Sequence, residues 1–285
     1  MTALPRTLLD DALEAELDRS GWVVVPLLEP DEVQELRAFY LGESAGGEHN
    51  PEGAYDPTYA EFSVIHSRPE FRARAFDIIC RVVGGRAAPL LDRFRPIVAN
   101  YVNKPPGTGV VPMHQNWTVV DEERFRSVSV WVALVDVTIG NGALEVLPRS
   151  HRALRTPRGM WAYEAFADAG PSIIDDLVPV EVRAGEAIIL DDALVHYSAP
   201  NDSSEDRLAI QLIMVPEAAQ ARFYERVGRS DDGHVVAVWE VEEPFFWDFW
   251  HGAGDAAHGR IVERITMPDE LLSPAELDAR LRAAT

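Results

Sequence analysis

The chain predicts a mainly β fold with flanking helices, and three observations carry that expectation. Beyond Pro96, β-branched runs of strand length recur: Ile97 to Val102, Val128 to Val137, Ala143 to Leu147, Ala187 to Leu190 and Leu208 to Val215. Gly, Pro, Asn and Asp turns separate them with no helical stretch between, which fits an antiparallel barrel or a double-sheet jelly roll and not a parallel α/β sheet. Helical spacing of apolar residues is confined to the N-terminal part and the extreme C-terminus. One domain over 1–285 is therefore expected, with a helical part over about 1–95, a β core over about 96–216 and an aromatic-rich extension over 217–285.

From the N-terminus, Leu9, Leu13 and Leu17 recur at helical spacing within Leu8 to Leu17, and Gly21-Trp22-Val23-Val24-Val25-Pro26 reads as a strand stopped by proline. Pro30-Asp31-Glu32 marks a helix start, because proline loses no bond in the first turn and acids suit its positive end. Val33, Leu36, Phe39 and Tyr40 form its apolar side, and Gly42 ends it. Residues 42–60 read as a loop that is either mobile or packed by its own Tyr55 and Tyr59. From Pro69 a further helix carries Phe71, Ala75, Ile78, Ile79 and Val82, with Gly84-Gly85 expected to stop it. Cys80 within it reads as a small buried hydrophobe. Asn141-Gly142 is the strongest turn signal. The run from Pro244 to His251 is too aromatic for an exposed loop; it could close the core, form an interface between copies or line the substrate pocket, and core or interface is the expected role. Ser273-Pro274-Ala275-Glu276 has capping-box spacing and announces a last helix.

A hydrophobic content of 47% supports a substantial core. The formal charge of −21 disfavours nucleic acid and anionic membrane surfaces, leaving small molecules as the expected partners. Lys104 is the only lysine against 25 arginines (26 − 1), which we read as base composition rather than function. One cysteine cannot form an internal disulfide, the start of the chain has neither a basic nor an apolar leader segment, and no apolar run reaches the ~18 residues of a membrane span. The expected location is cytoplasmic.

Two histidines 82 positions apart (196 − 114), the second trailed by an arginine 11 positions on (207 − 196), suggest a metal site with an anion clamp. On a strand from Val110 to Val120, His114 and Asn116 would project from one face and Gln115 from the other. Two imidazoles and one oxygen with positions left open is the arrangement of non-haem Fe(II) oxygenases, and Arg207 could fork onto a co-substrate carboxylate.

These residues resemble the phytanoyl-CoA dioxygenase family of Fe(II)/2-oxoglutarate-dependent oxygenases. Its H-Q-D-W motif is matched by His114-Gln115-Asn116-Trp117. Its N-G-x-L and P-x-S-H stretch is matched by Asn141-Gly142-Ala143-Leu144 and Pro148-Arg149-Ser150-His151. Its H-x-S-x-x-N followed by arginine is matched by His196-Tyr197-Ser198-Ala199-Pro200-Asn201 and Arg207. The resemblance implies a cupin-like double-stranded β-helix jelly roll with helices on one side. It implies His114, Asn116 and His196 as the catalytic metal positions, and Arg207, Ser198 and Trp131 around 2-oxoglutarate. It implies a small-molecule substrate and O₂, with decarboxylation to succinate and a ferryl species abstracting hydrogen. His151 is expected to pack rather than ligate, and His49, His66, His234, His251 and His258 to be surface or core residues.

Asn116 stands where the family motif has Asp, so the site loses a full negative charge, which is expected to weaken metal binding by at least ~10–100-fold. Four readings of it compete: a weak amide ligand in an active oxygenase, a side chain turned away to admit another anion, a catalytically silent ligand-binding relative, or an engineered Asp→Asn change. Asp191 and Asp192, which precede His196, are expected to be solvated rather than to substitute for the missing acid. The expected function is hydroxylation of a small secondary metabolite. A cupin-type isomerase is disfavoured because it needs no oxo-acid clamp.

Overall fold

The computed structural model describes residues 4–44, 47–49, 58–159, 161, 165–167, 169–242, 245–248, 259–268 and 273–283. Helix α1 (Asp11–Ser20) starts later than Leu8 because Asp10 caps it, accepting from the amides of Ala12 and Leu13 at 2.9 Å, while Leu8 bridges to Leu91. Gly21 closes the helix at φ 95°, where a Cβ would meet the His151 ring at 2.6 Å, and the chain enters strand β1 (Trp22–Pro26). Helix α2 (Pro30–Glu43) begins with Pro30 inside a Glu29/Glu32 capping box and runs one residue past Gly42.

Helix α3 (Pro69–Ile79) is not stopped by Gly84-Gly85. It runs on through a wide turn at Cys80–Gly84 and short turns to Leu90, with both glycines at helical φ near −60° and Val82 and Val83 buried. Packing of those valines outweighs the low helix propensity of glycine. In the preceding loop, Tyr59 bridges to Val110 and a short strand β2 (Glu61–Phe62) forms, while Tyr55 lies outside the described residues.

The β core is two facing sheets. β3 (Phe94–Lys104), β5 (Val128–Ala133), β8 (Glu186–Asp191) and β10 (Arg207–Pro216) join β1 and β2 in a six-stranded sheet of order β1-β8-β5-β10-β3-β2. β4 (Val111–His114), β6 (Leu144–Val146), β7 (Val178–Val180) and β9 (His196–Ser198) form a four-stranded sheet of order β4-β9-β6-β7. Every pairing between these strands is antiparallel, so the architecture is a jelly roll with helices on one side, as expected. The strand expected over Val128 to Val137 ends at Ala133, and Val137 pairs alone with Val182.

The central strands of the large sheet are buried on both faces, which is why they read as mainly apolar runs. Val128, Val130 and Val132 of β5 and Leu208, Ile210 and Leu212 of β10 pack in one cluster with Leu17, Leu36, Phe71 and Ile79 of the helices. The alternate residues Trp131, Ala133 and Ala209 pack with Leu144, Val146 and Val180 of the small sheet. That inner face also carries Arg207 and Gln211, two positions to either side of Ala209, and so places polar chemistry between the sheets.

The C-terminal extension holds a three-stranded antiparallel sheet that the residue pattern did not announce: β11 (Arg222–Ser230), β12 (Gly233–Val241) and β13 (Gly259–Met267). Its charged residues mask the alternation. Phe245 and Phe246 are buried with Phe223, in agreement with a core role, whereas Pro244 and Phe249 to His251 lie outside the described residues. Helix α4 (Pro274–Ala283) starts on the expected box, with Ser273 and Glu276 bonded reciprocally. No described helix is long and apolar enough to cross a membrane.

Candidate functional site

His114 ends β4, His196 begins β9, and the two are direct register partners with ring centroids 4.2 Å apart. Each ring places Nδ1 against a backbone carbonyl, His114 on Pro112 at 2.8 Å and His196 on Leu194 at 2.9 Å. A carbonyl only accepts, so Nδ1 carries the proton in both rings and the lone pair sits on Nε2. Burial, and for His114 the neighbouring His196, hold both rings neutral: His114 lies well below the ordinary value and His196 falls to about 4. Two neutral, oriented imidazoles are what a divalent metal requires.

Asn116 does not continue the strand expected over Val110 to Val120, since β4 ends at His114. The chain there is held by other means. Arg158 donates from Nε to the Asn116 carbonyl at 2.9 Å, and its remaining nitrogens clasp both Glu122 oxygens at 2.9 and 2.5 Å. Gln115 points away from the site, bonding the carbonyls of Leu154 and Ala193. The Asn116 side chain donates from Nδ2 to Ser129 Oγ and to Asp192 Oδ1, both at 2.9 Å. A carboxylate oxygen must face the NH₂, so Oδ1 is the atom left toward the histidines. It lies within hydrogen-bonding reach of the His114 ring, and Gln211 Nε2 approaches it at 3.4 Å. Two acceptors, a lone pair on Nε2 and the amide oxygen, therefore face each other, an arrangement suited to a cation. The donor set fits a metal but is short of an acid: among the described residues no three His, Cys, Asp or Glu side chains converge on one point.

Asp191 and Asp192 are not solvated. Both are buried, because each has partners: Asp191 pairs with Arg126 and Arg155, and Asp192 accepts from Asn116 and Ser129. Burial raises the Asp192 carboxyl to about 6, against the lowering effect of its hydroxyl and amide donors.

Arg207 opens β10 and is 2% exposed, yet its Nε and Nη1 have no hydrogen-bond partner among the described residues. Its guanidinium lies over the Trp131 ring at 5.3 Å, and burial lowers it to about 9. A cation held in the interior with free donors fits a carboxylate ligand. Beside it, Ser198 Oγ donates to the Gly142 carbonyl at 2.8 Å and accepts from Lys104 Nζ, which also donates to the carbonyls of Ser198 and Ala199 at 3.1 and 2.6 Å. Lys104 is fully buried, and burial, helped by Arg207, lowers it to about 6.

His114, Asn116, Trp131, His196, Ser198 and Arg207 thus line one cavity, whose remaining wall is mainly apolar: Phe62, Val64, Val98, Val119, Ile213 and Phe246. His151 stays outside it, its Nε2 on the Asp18 carbonyl at 3.1 Å and its ring against Gly21, in a packing role. His66 is buried beside His49, and His234 lies on β12; His251 and His258 lie outside the described residues. Sequence reading missed Lys104, Asp192 and Arg158. The uniqueness of Lys104 was a signal for the first and the doublet ahead of His196 for the second; nothing in the pattern singled out Arg158.

A jelly roll with a two-histidine, one-arginine pocket lined from both sheets is the class that this fold and site define. Residues 17–209 match the family described as phytanoyl-CoA dioxygenase (PhyH), and the chain belongs to that family. It is 36% identical over 132 residues to a phytanoyl-CoA dioxygenase of Arabidopsis thaliana, covering 42% of this chain and 45% of the relative. The chain spans less than half the length of the curated relatives it first matches. Among solved structures it resembles the non-heme alpha ketoglutarate dependent carbocyclase SnoK from nogalamycin biosynthesis, with TM-score 0.55 and 20% identity over 75% of this chain and 86% of that one. It also resembles the epimerase SnoN in complex with Fe3+, alpha ketoglutarate and nogalamycin RO, with TM-score 0.51 and 22% identity over 74% and 85%. These likenesses establish the double-stranded β-helix fold.

Proposed function

We propose that this chain is a non-haem Fe(II)/2-oxoglutarate-dependent oxygenase that hydroxylates a small molecule of the secondary-metabolite class, a reading supported by structural neighbours from nogalamycin biosynthesis. His114, His196 and the Asn116 amide would hold the metal, and Arg207, Ser198 and Trp131 the co-substrate. The observation that carries this reading is the meeting, in one cavity, of two neutral histidines and a buried guanidinium with two unpartnered N–H groups among the described residues. When bound, Fe(II) and 2-oxoglutarate supply O₂ activation, with succinate and CO₂ as the co-products.

The protein's own part is binding, orientation and exclusion of water. Pro112 and Leu194 fix the imidazoles with Nε2 presented to the cavity. Arg207 offers unpartnered N–H donors at Nε and Nη1 to the distal carboxylate of an oxo acid, and Trp131 keeps the guanidinium plane in place. Lys104 turns the Ser198 hydroxyl by bonding its oxygen. The apolar wall suits a substrate that presents hydrocarbon or ring surface, because a charged group there would be desolvated without a partner. Clustered basic side chains of the kind that coenzyme A phosphates need do not line the cavity among the described residues.

Anaerobic addition of Fe(II) and then 2-oxoglutarate tests the reading. A weak visible charge-transfer band and co-substrate-dependent succinate formation in air are expected. A folded protein giving neither would refute it. The neutral amide at 116 favours one competing reading, a relative that binds ligand without turnover; 2-oxoglutarate binding by calorimetry with no succinate would select that.

A further inference from the structure

Asp192 is wholly buried and yet no ion pair reaches it among the described residues, since Arg126 and Arg155 both go to its neighbour Asp191. Arg155 acts on it only through space, so a carboxylate in that position gains from any further cation within its field. Its Oδ1 accepts from Asn116 Nδ2 at 2.9 Å and from Ser129 Oγ at 2.7 Å, and Ser129 Oγ in turn accepts from Asn116 at 2.9 Å. The triangle fixes the amide in one orientation, with Oδ1 toward the His114 ring and the cavity. Asp192 does not line the cavity, so it is not itself placed as a ligand.

We propose that Asp192 is the displaced carboxylate of the metal site: a positioning residue that locks the Asn116 amide with its oxygen toward the two histidines and supplies, from behind that amide, the negative charge that a directly ligating carboxylate would carry. This rests on the metal-binding reading given above. The amide passes the charge on by polarisation, because a donor bonded to an anion leaves more electron density on its carbonyl oxygen. One consequence sets the idea apart from a simple defect at position 116. Asn116→Asp alone would set two carboxylates against each other where a donor now meets an acceptor, so restoring the acid at 116 without changing 192 should not improve the site.

The test measures Mn(II) affinity of the aerobic apoprotein by the loss of free Mn(II) resonance signal, and Co(II) ligand-field spectra, in four proteins: wild type, Asp192→Asn, Asn116→Asp and the exchanged pair Asn116→Asp/Asp192→Asn. Asp192→Asn keeps an acceptor for Asn116 and Ser129, removes the charge and exchanges the second carboxylate oxygen for an NH₂ from which the neighbouring Ser127 hydroxyl can accept, so a purely structural role predicts little change. We expect at least a ~10-fold loss of affinity, the scale of second-shell substitutions. The exchanged pair should return to within about threefold of wild type or better, with altered Co(II) bands from the new carboxylate ligand, a non-additive result that marks direct coupling. Should Asp192→Asn fail to fold by thermal melting, the exchanged pair and Asn116→Asp still decide the matter, because only coupling makes the double variant the tighter binder. Wild-type affinity in Asp192→Asn, or additive effects in the pair, overturns the proposal while leaving the oxygenase reading intact. A folded wild type that takes up no metal removes that reading instead, and this proposal with it.

Discussion

Replacing Arg207 by Met should move two quantities in opposite directions. Burial lowers the guanidinium to about 9, well below the ordinary arginine range, which at ~1.4 kcal/mol per pKa step amounts to several kcal/mol of unfavourable transfer. Stacking on Trp131 at 5.3 Å returns only about 0.5–2 kcal/mol. Methionine fills much of the same volume, and no acceptor loses a donor at Nε or Nη1, because these have none among the described residues. The apoprotein should therefore gain about 1–4 kcal/mol, the usual result of exchanging a buried ion for a hydrophobe, and melt a few degrees higher. Binding of 2-oxoglutarate should suffer. Two charge-assisted bonds at about 1.5–3 kcal/mol each give a loss of roughly 10²–10⁴ in affinity. Thermal melting of the apoprotein and anaerobic calorimetry with Mn(II) and 2-oxoglutarate read the two effects. A variant that melts lower than wild type and binds 2-oxoglutarate within threefold of it would refute the reasoning, since Arg207 would then be an ordinary structural residue. Arg207→Lys should fall between, keeping the charge and losing the fork.

Lys104→Met should behave in the opposite sense to Arg207→Met, because it strips the carbonyls of Ser198 and Ala199 of their donor; we expect a loss of about 1–3 kcal/mol in urea unfolding and a higher KM for 2-oxoglutarate. Arg158→Met leaves Glu122 buried without its partner and releases the Asn116 carbonyl, so stability should fall by about 3–5 kcal/mol and Mn(II) affinity should drop with it. On acidification the unfolded chain takes up protons at His114 and His196 that the folded chain refuses, so stability falls as pH drops from about 6.5 towards about 4, by roughly 3 kcal/mol for His196 alone. Asp192, held at about 6 against an unfolded value of about 3.9, works the other way over pH 6 to 4, so the acid limb of the urea-midpoint curve should be steeper in Asp192→Asn than in wild type.

The parts of this molecule that could be read from residues are those set by short-range periodicity. β5 and β10 were legible because both of their faces are buried, which leaves apolar runs interrupted only by Ser129 and Gln211; β11 to β13 were not, because their solvent-facing residues are charged and Gly228 interrupts the alternation. Gly84-Gly85 misled for the converse reason: packing of Val82 and Val83 decides the backbone there, and it acts through tertiary contacts that a local stop signal ignores. The pocket divides along the same line. His114, His196 and Arg207 announce themselves by motif and order. Lys104 and Asp192 act on that pocket from positions whose role depends on which strands are neighbours. Lys104 is register partner to Arg207 across β3 and β10, and Asp192 sits where β8 turns towards β9, behind an amide 76 positions earlier in the chain. Read alone, Asn116 is a lost charge. Read with Asp192 it is half of a pair, and the net charge around the two histidines is that of a site with one carboxylate. The question for this protein is then how far a metal's affinity and reactivity tolerate moving that charge back by the length of one amide, and the exchanged pair answers it directly because it differs from wild type in the order of the two groups and in nothing else.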